Sequence, residues 1–145
     1  MKQHVPVSTI MSKNIVKLNL TDDLSKAEAL FKDHKIKHIP VMNQSEIIGM
    51  LSYADLLRVS YTEEMQEDET EGLESMVFNM FTIRQVMTKE VVTIKPYTTI
   101  KEAATILVAH DFHSLPVCDG TNLVGILTST DLIAYFLEQY DLMDD

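Results

Sequence analysis

The chain has 145 residues, 46% of them hydrophobic, and a formal net charge of −10, so it is long and apolar enough for a globular domain with a buried core. The negative charge argues against a nucleic-acid or anionic-membrane surface, because binding polyphosphate requires clustered Lys and Arg. The longest apolar runs are too short to span a bilayer and the first residues lack the apolar region of a signal peptide, so we expect a cytoplasmic protein.

The first part of the chain predicts a strand, a helix, two strands and a second helix. A β-branched run at Ile15–Leu18 is typical of a strand. Asp23 is placed to cap a helix whose apolar residues recur at helical spacing: Leu24, Ala27, Leu30 and Phe31. Ile39–Met42 and Ile47–Leu51 predict a hairpin, and the second helix starts after Ser52.

An acidic segment follows at residues 61–79, with seven Asp and Glu residues and no Lys or Arg. Such a run is typical of a solvated linker or helix face, and it can extend the preceding helix. An acidic docking surface for a partner is the alternative interpretation. We predict an acidic helical linker here.

The rest of the chain repeats the first part at an offset of 76 positions, which aligns Met11–Leu57 with Met87–Ile133 without a gap. The identical pairs include Met11/Met87, Ala27/Ala103, His34/His110, Pro40/Pro116, Gly49/Gly125 and Asp55/Asp131. The same elements are therefore expected again, with strands at Val91–Ile94, Leu115–Cys118 and Leu123–Leu127, a helix capped by Thr99, and a last helix after Thr128. Cys118 aligns with Met42 and is expected to be a small apolar strand residue.

A duplicated unit of this size predicts an α+β fold of tandem βαββα repeats packed about a pseudo-twofold axis. The predicted boundaries are residues 7–60 for the first repeat and 80–137 for the second. Two related crevices are expected between the repeats.

The polar residues that the repeats share cluster where a strand meets a helix. The two matching stretches are Gly49–Asp55 and Gly125–Asp131. A hydroxyl followed three residues later by an acid is a helix-capping arrangement, and this is the plainest interpretation. The functional alternative uses the same geometry, because a helix N-terminus attracts anions and a carboxylate can accept hydrogen bonds from the vicinal hydroxyls of a ribose.

A second shared feature is a basic position three residues before a proline. Lys37 precedes Pro40, and His113 precedes Pro116. Both side chains can carry positive charge beside the predicted hairpin. The alternative is that each is simply a polar residue facing solvent.

The ordered set of motifs, present twice, closely resembles a pair of CBS domains (a Bateman module) over about Val7 to Phe136. The motifs are Ile10-Met11-Ser12 and Val86-Met87-Thr88, then Lys37–Val41 and His113–Val117, then Gly-x-x-Ser/Thr-x-x-Asp. The resemblance implies an adenosine-containing ligand of the AMP, ADP or ATP class, with S-adenosylmethionine as an alternative, bound in clefts between the repeats. It also implies a homodimer.

The resemblance assigns roles to individual side chains. Asp55 and Asp131 would hold ribose; Ser52, Thr128 and Thr130 would lie near ribose or phosphate; Lys37 and His113 would face phosphates; and Ile39, Leu115, Val16 and Val92 would flank the base. No metal ligands and no required cofactor are expected.

The two repeats are not equally equipped for such a ligand. The second has Thr130 where the first has Ala54, and the first also carries the bulky Tyr53. Lys37 and Arg58 can compensate if they point inward. We therefore expect the second site to be occupied and the first to be weaker or empty.

The resulting hypothesis is a stand-alone regulatory module that binds an adenosyl ligand and signals to an effector protein in trans. The alternative is a ligand-free scaffold or protein-interaction module with the same fold. An enzyme is the least favoured class, because the sequence shows no catalytic Cys/His or Ser/His motif, no metal-ligand cluster and no Walker-type glycine loop.

Overall fold

The computed structural model describes residues 4–61 and 80–143. The chain divides into two compact units: the first unit comprises residues 16–91, and the second unit comprises residues 1–15 together with 92–145. Residues 62–79, which hold nearly all of the predicted acidic linker, lie outside the described residues. None of the helices in the described ranges combines the length and apolarity that crossing a bilayer requires.

The unit of residues 16–91 contains a three-stranded sheet in the order β1-β2-β3, with β1 parallel and β3 antiparallel to β2. Its elements are β1 (Leu18–Asn19), α1 (Leu24–His34), β2 (His38–Asn43), β3 (Glu46–Ser52), α2 (Tyr53–Tyr61) and α3 (Ile83–Val86). The predicted cap is confirmed, since Asp23 Oδ1 accepts a hydrogen bond of 2.8 Å from Lys26 N. The predicted apolar residues of α1 pack into the core together with Ile39, Leu51 and Leu56.

The other unit contains a two-stranded antiparallel sheet of β4 and β5. Its elements are a short 3-10 helix (Val7–Thr9), α4 (Ile100–Ala109), β4 (Ser114–Asp119), β5 (Asn122–Thr128) and α5 (Ser129–Met143). Thr99 caps α4 by accepting a hydrogen bond of 3.1 Å from Glu102 N, as predicted. Both predicted hairpins and both helices that follow them are present, so the α+β prediction is confirmed.

The first strand of each repeat differs from the prediction. Neither Ile15–Leu18 nor Val91–Ile94 is a strand. In the first repeat β1 covers Leu18–Asn19, and in the second repeat the matching stretch contributes an isolated bridge between Ile94 and Val117. In the first unit Leu20 N donates to Met42 O at 2.8 Å, which extends the pairing. The matching residue in the second unit is Pro96, which has no N–H to donate, so the ladder stops there.

The segment that leads into each repeat packs in the unit formed by the other repeat's hairpin. Thr88 pairs with Met50 of β3, and Ser12 pairs with Ile126 of β5. Val7, at the start of the first repeat, lies in the core of the second unit, whereas Ile83 lies in the core of the first. The boundaries of the compact units therefore do not coincide with those of the repeats, and the second unit is built from two separate stretches of the chain.

Candidate functional site

In the second unit, Thr128 and Asp131 form a reciprocal pair at the start of α5. Thr128 N donates to Asp131 Oδ2 at 2.9 Å, and Asp131 N donates to Thr128 Oγ1 at 3.1 Å. Two backbone N–H groups that the helix start would leave free are thereby satisfied. We call this arrangement, Thr128 to Asp131, the second junction.

The matching stretch of the first unit, Ser52 to Asp55, is built in the same way, and we call it the first junction. Asp55 N donates to Ser52 Oγ at 3.0 Å, and Ser52 N lies 3.4 Å from Asp55 Oδ2. The capping interpretation is thus confirmed in both repeats. Capping uses one carboxylate oxygen of each aspartate, so it leaves the other oxygen available for a further contact.

Backbone hydrogen bonds place the predicted basic residues beside the junctions. Tyr53 N donates to Lys37 O at 2.8 Å, and Ser129 N donates to His113 O at 2.9 Å. The side chains of Lys37 and His113 are exposed and form no hydrogen bond or ion pair with another described residue. Each basic position is therefore adjacent to its junction in the fold, although 15 residues separate Lys37 from Ser52.

The two aspartates differ in what occupies the second carboxylate oxygen. Asp55 Oδ1 is paired with the guanidinium of Arg58, one helical turn further along α2. The corresponding residue of α5 is Ala134, and within the described part of the chain Asp131 uses only Oδ2. Asp131 thus presents a free acceptor oxygen, whereas Asp55 does not.

The neighbouring hydroxyls and rings also differ. Thr130 is exposed at the second junction, where the first has the exposed Ala54. Tyr53 is half-buried and makes an edge contact with Phe31, with ring centroids 5.4 Å apart. The ring of Tyr53 is therefore held by its own unit, and the larger number of hydroxyls lies at the second junction.

The apolar residues expected to flank a base fall into two groups. Ile39 and Leu115 are fully buried in the two cores, so their side chains support the strands and offer no surface to a ligand. Val16 is half-buried against the first core, and Val92 is 37% exposed. Of the four, only Val16 and Val92 have accessible side-chain surface.

The paired histidines belong to the ends of helices. His110 Nδ1 lies 2.8 Å from Ile106 O, where it satisfies a carbonyl of the last turn of α4, and His34 is exposed at the end of α1. No cluster of three His, Cys, Asp or Glu side chains suited to a metal ion is found in residues 4–61 and 80–143.

Sequence reasoning identified both junctions but assigned Arg58 only an inward-pointing role. The structure shows that Arg58 binds the aspartate of its own helix. The i,i+3 spacing of Asp55 and Arg58 is the signal that predicts this pair, because residues three apart share a helix face.

Comparison with known proteins places these features in a family. The sequence model of the CBS domain family matches this chain twice, at residues 7–61 and 83–138. A Methanocaldococcus jannaschii protein, MJ1426, is 31% identical over 88% of this chain and 88% of its own length. The chain spans only 32% of the length of another relative from that organism, MJ1404.

Solved structures share the fold. CBSX2 from Arabidopsis thaliana, in complex with AMP, superposes with a TM-score of 0.76 at 21% identity over 94% of this chain and 98% of that one. The CBS domain pair of protein MJ0100, in complex with 5′-methylthioadenosine and S-adenosyl-L-methionine, gives a TM-score of 0.79 at 21% identity over 94% and 99%.

Proposed function

Because the chain belongs to the CBS domain family, we propose that it is a regulatory module that binds an adenosine-containing ligand, with the ribose held by Asp131 at the second junction. The observation that carries this proposal is the free Oδ1 of Asp131, beside a helix start and the exposed Thr130. A carboxylate fixed by one oxygen can accept hydrogen bonds from both vicinal hydroxyls of a ribose with the other, at little cost in side-chain entropy.

Charge and hydroxyl groups near Asp131 suit the rest of a nucleotide. Thr130, on the first turn of α5, has an exposed hydroxyl. His113 has an exposed imidazole, and its backbone carbonyl accepts a hydrogen bond from Ser129 N. The helix start adds a positive dipole end that favours an anionic group. Val92 is an exposed apolar residue of the same unit and is the candidate contact for the base.

The ligands seen in structures with the same fold support the ligand class. CBSX2 is complexed with AMP, and MJ0100 with 5′-methylthioadenosine and S-adenosyl-L-methionine. All three compounds share the adenosine group, so the proposal for this chain is an adenosyl ligand of the AMP, ADP or ATP class, with S-adenosylmethionine as the alternative. Regulation then follows if ligand binding favours one conformation over another, by as much as the two affinities differ.

Isothermal titration calorimetry with adenosine, AMP, ADP, ATP and S-adenosylmethionine tests the proposal, with Asp131→Asn beside the wild type. Asparagine keeps an oxygen that can accept from Thr128 N but loses the charge that binds ribose hydroxyls strongly. The matched control is Asp141→Asn, the same change at an exposed position near the other end of α5. We expect binding to wild type and to Asp141→Asn, and at least about tenfold weaker binding to Asp131→Asn. Equal binding by all three proteins would contradict the assignment.

A second candidate function is protein interaction, favoured by exposed apolar side chains on α5. Ile133, Leu137 and Tyr140 are each more than half exposed and recur at the spacing of one helix face. On this basis we propose a homodimer that uses α5. Sedimentation equilibrium of wild type and Leu137→Glu tests it: the wild type should be dimeric and the variant monomeric, and equal masses would contradict the proposal.

A further inference from the structure

Arg58 occupies the carboxylate that the first junction would need for a ribose. Its guanidinium pairs with Asp55 Oδ1, and Asp55 Oδ2 faces Ser52 N at 3.4 Å. Both oxygens of Asp55 are therefore engaged. The Asp55 side chain is only 16% exposed, whereas Arg58 is 72% exposed and free to move toward solvent.

The second junction has no equivalent of this ion pair. Ala134 stands where α2 has Arg58, and Asp131 Oδ1 forms no hydrogen bond or ion pair with another described residue. A ribose can therefore bind Asp131 without displacing any group. At Asp55 the same ribose has to compete with a guanidinium.

A phosphate group changes that competition. A guanidinium offers paired N–H donors in a planar fork. A phosphate can accept hydrogen bonds from both donors, as a carboxylate does. If the phosphate of a nucleotide takes Arg58, then Asp55 Oδ1 is released to accept the ribose hydroxyls, and no charge loses its partner. A nucleoside without phosphate must break the ion pair and provides no replacement partner for Arg58.

The local charge strengthens this difference. The first junction combines Asp55 with Arg58 and Lys37, whose carbonyl binds Tyr53 N, so cations outnumber the carboxylate. The second combines Asp131 with His113 and has Ala134 at the position of Arg58, so it carries neither the lysine nor the arginine of the first junction. The two junctions therefore differ in charge as well as in the state of the carboxylate.

We propose that Arg58 is a specificity-determining residue that restricts the first junction to phosphorylated adenosyl ligands, while the second junction, with Ala134, accepts ligands with or without phosphate. This inference rests on the proposed function, because it assumes that each aspartate binds ribose. It adds a selectivity that differs between the two repeats.

The test isolates each junction and compares AMP with adenosine by isothermal titration calorimetry. Asp131→Asn leaves only the first junction with its carboxylate, and Asp55→Asn leaves only the second. In Asp131→Asn we expect AMP to bind about tenfold or more tightly than adenosine, since charge-assisted bonds to phosphate are strong. Adding Arg58→Gln should reduce that preference at least about threefold, with adenosine binding more tightly than before.

The reciprocal change supplies the matched control. In Asp55→Asn, adding Ala134→Arg should introduce the missing ion pair, weaken adenosine binding about twofold to threefold, and raise the preference for AMP. Far-ultraviolet circular dichroism of each variant checks that the fold is retained, and the 72% exposure of Arg58 favours this.

The outcomes separate the inference from the proposed function. Failure of AMP and adenosine to bind the wild type contradicts both. Binding by the wild type and Asp55→Asn but not by Asp131→Asn overturns only the inference, because the first junction is then not a site. The inference is also overturned if Arg58→Gln leaves the preference for AMP unchanged, or if it raises the affinities for AMP and adenosine by the same factor.

Discussion

Met87 lies so close to Gly49 that a Cβ on the glycine would be 3.0 Å from the Cγ of the methionine and 2.9 Å from the Thr88 carbonyl oxygen. The other unit repeats the relationship, with Met11 against Gly125. In both cases the methionine comes from the segment that leads into one repeat, and the glycine from the hairpin of the other repeat. Each methionine of the identical pair Met11/Met87 therefore packs against the glycine of the opposite repeat.

Alanine at these glycines should destabilise the protein, and Gly49→Ala more than Gly125→Ala. A Cβ at position 49 meets the Thr88 carbonyl, which is held by its hydrogen bond of 3.0 Å from Met50 N. At position 125 the three nearest atoms all belong to the flexible Met11 side chain. Urea unfolding should show a loss of about 1–3 kcal/mol for Gly49→Ala, and a smaller loss for Gly125→Ala.

The double variant Met11→Ala/Gly125→Ala provides the control for this prediction. Removing the methionine side chain makes room for the new Cβ, so the two changes should couple favourably. Strict additivity of the two losses, or a larger loss for Gly125→Ala than for Gly49→Ala, would show that the close approach does not determine stability.

A fragment of residues 16–91 should fold alone, whereas a fragment of residues 7–61 should not. The second fragment matches one family repeat but lacks Ile83 and Met87, which are buried in the first core. It also carries Val7, whose partners lie in the other unit. Circular dichroism with urea should show cooperative unfolding only for residues 16–91. Cooperative unfolding of residues 7–61 would show that a repeat does not need the segment that leads into the other repeat.

The turns of the two hairpins predict opposite changes in stability for a pair of reciprocal substitutions. Gln44 has φ of 58°, a left-handed conformation that costs an L-residue energy, and the matching residue of the other hairpin is Gly120 with φ of 63°. Gln44→Gly should therefore stabilise the protein by about 0.5–1 kcal/mol after the entropic cost of glycine is subtracted. Gly120→Gln should destabilise it similarly. Differential scanning calorimetry checks both, and melting temperatures that move in the same direction would refute the prediction.

Cys118 should react slowly with thiol reagents in the folded protein. The side chain is buried in β4, and this burial raises the pKa of the thiol above its ordinary 9.0. The folded state therefore disfavours the thiolate, so stability is unaffected below about pH 9 and decreases as the pH rises from there through the raised value. Ellman's reagent at pH 8 should label Cys118 much faster in urea than in buffer. Equal rates would mean that the thiol is accessible.

The elements that depend on local chemistry were predictable from the sequence. Asp23 and Thr99 cap their helices, and the junctions at Ser52 and Thr128 begin the second helix of each repeat, because a side-chain oxygen satisfies backbone N–H groups within three residues. Because the two repeats align without a gap, each prediction made for one repeat also applied to the matching residues of the other.

Features set by distant parts of the chain were not predictable in this way. The first strand of each repeat depends on its pairing with the hairpin. Pairing with β2 places β1 at Leu18–Asn19, later than its β-branched run, and Pro96 stops the matching ladder in the second repeat. The apolar pattern also does not tell which core receives Val7 or Ile83. At the site, spacing located Asp55 and Asp131, but only the folded structure shows that Arg58 pairs with the Asp55 carboxylate while Asp131 keeps one oxygen free.

The most direct test of the central claim is to locate the ligand by two-dimensional ¹H–¹⁵N nuclear magnetic resonance of the assigned protein with saturating AMP. Asp131 Oδ2 accepts from Thr128 N, and the carbonyl of His113 accepts from Ser129 N, so a ribose bound at Asp131 should perturb these two amides. We predict that the largest shift changes occur at residues 128–131 and are much smaller in Asp131→Asn at the same AMP concentration. Changes confined to other parts of the chain, or equal changes in the variant, would contradict a ribose site at Asp131.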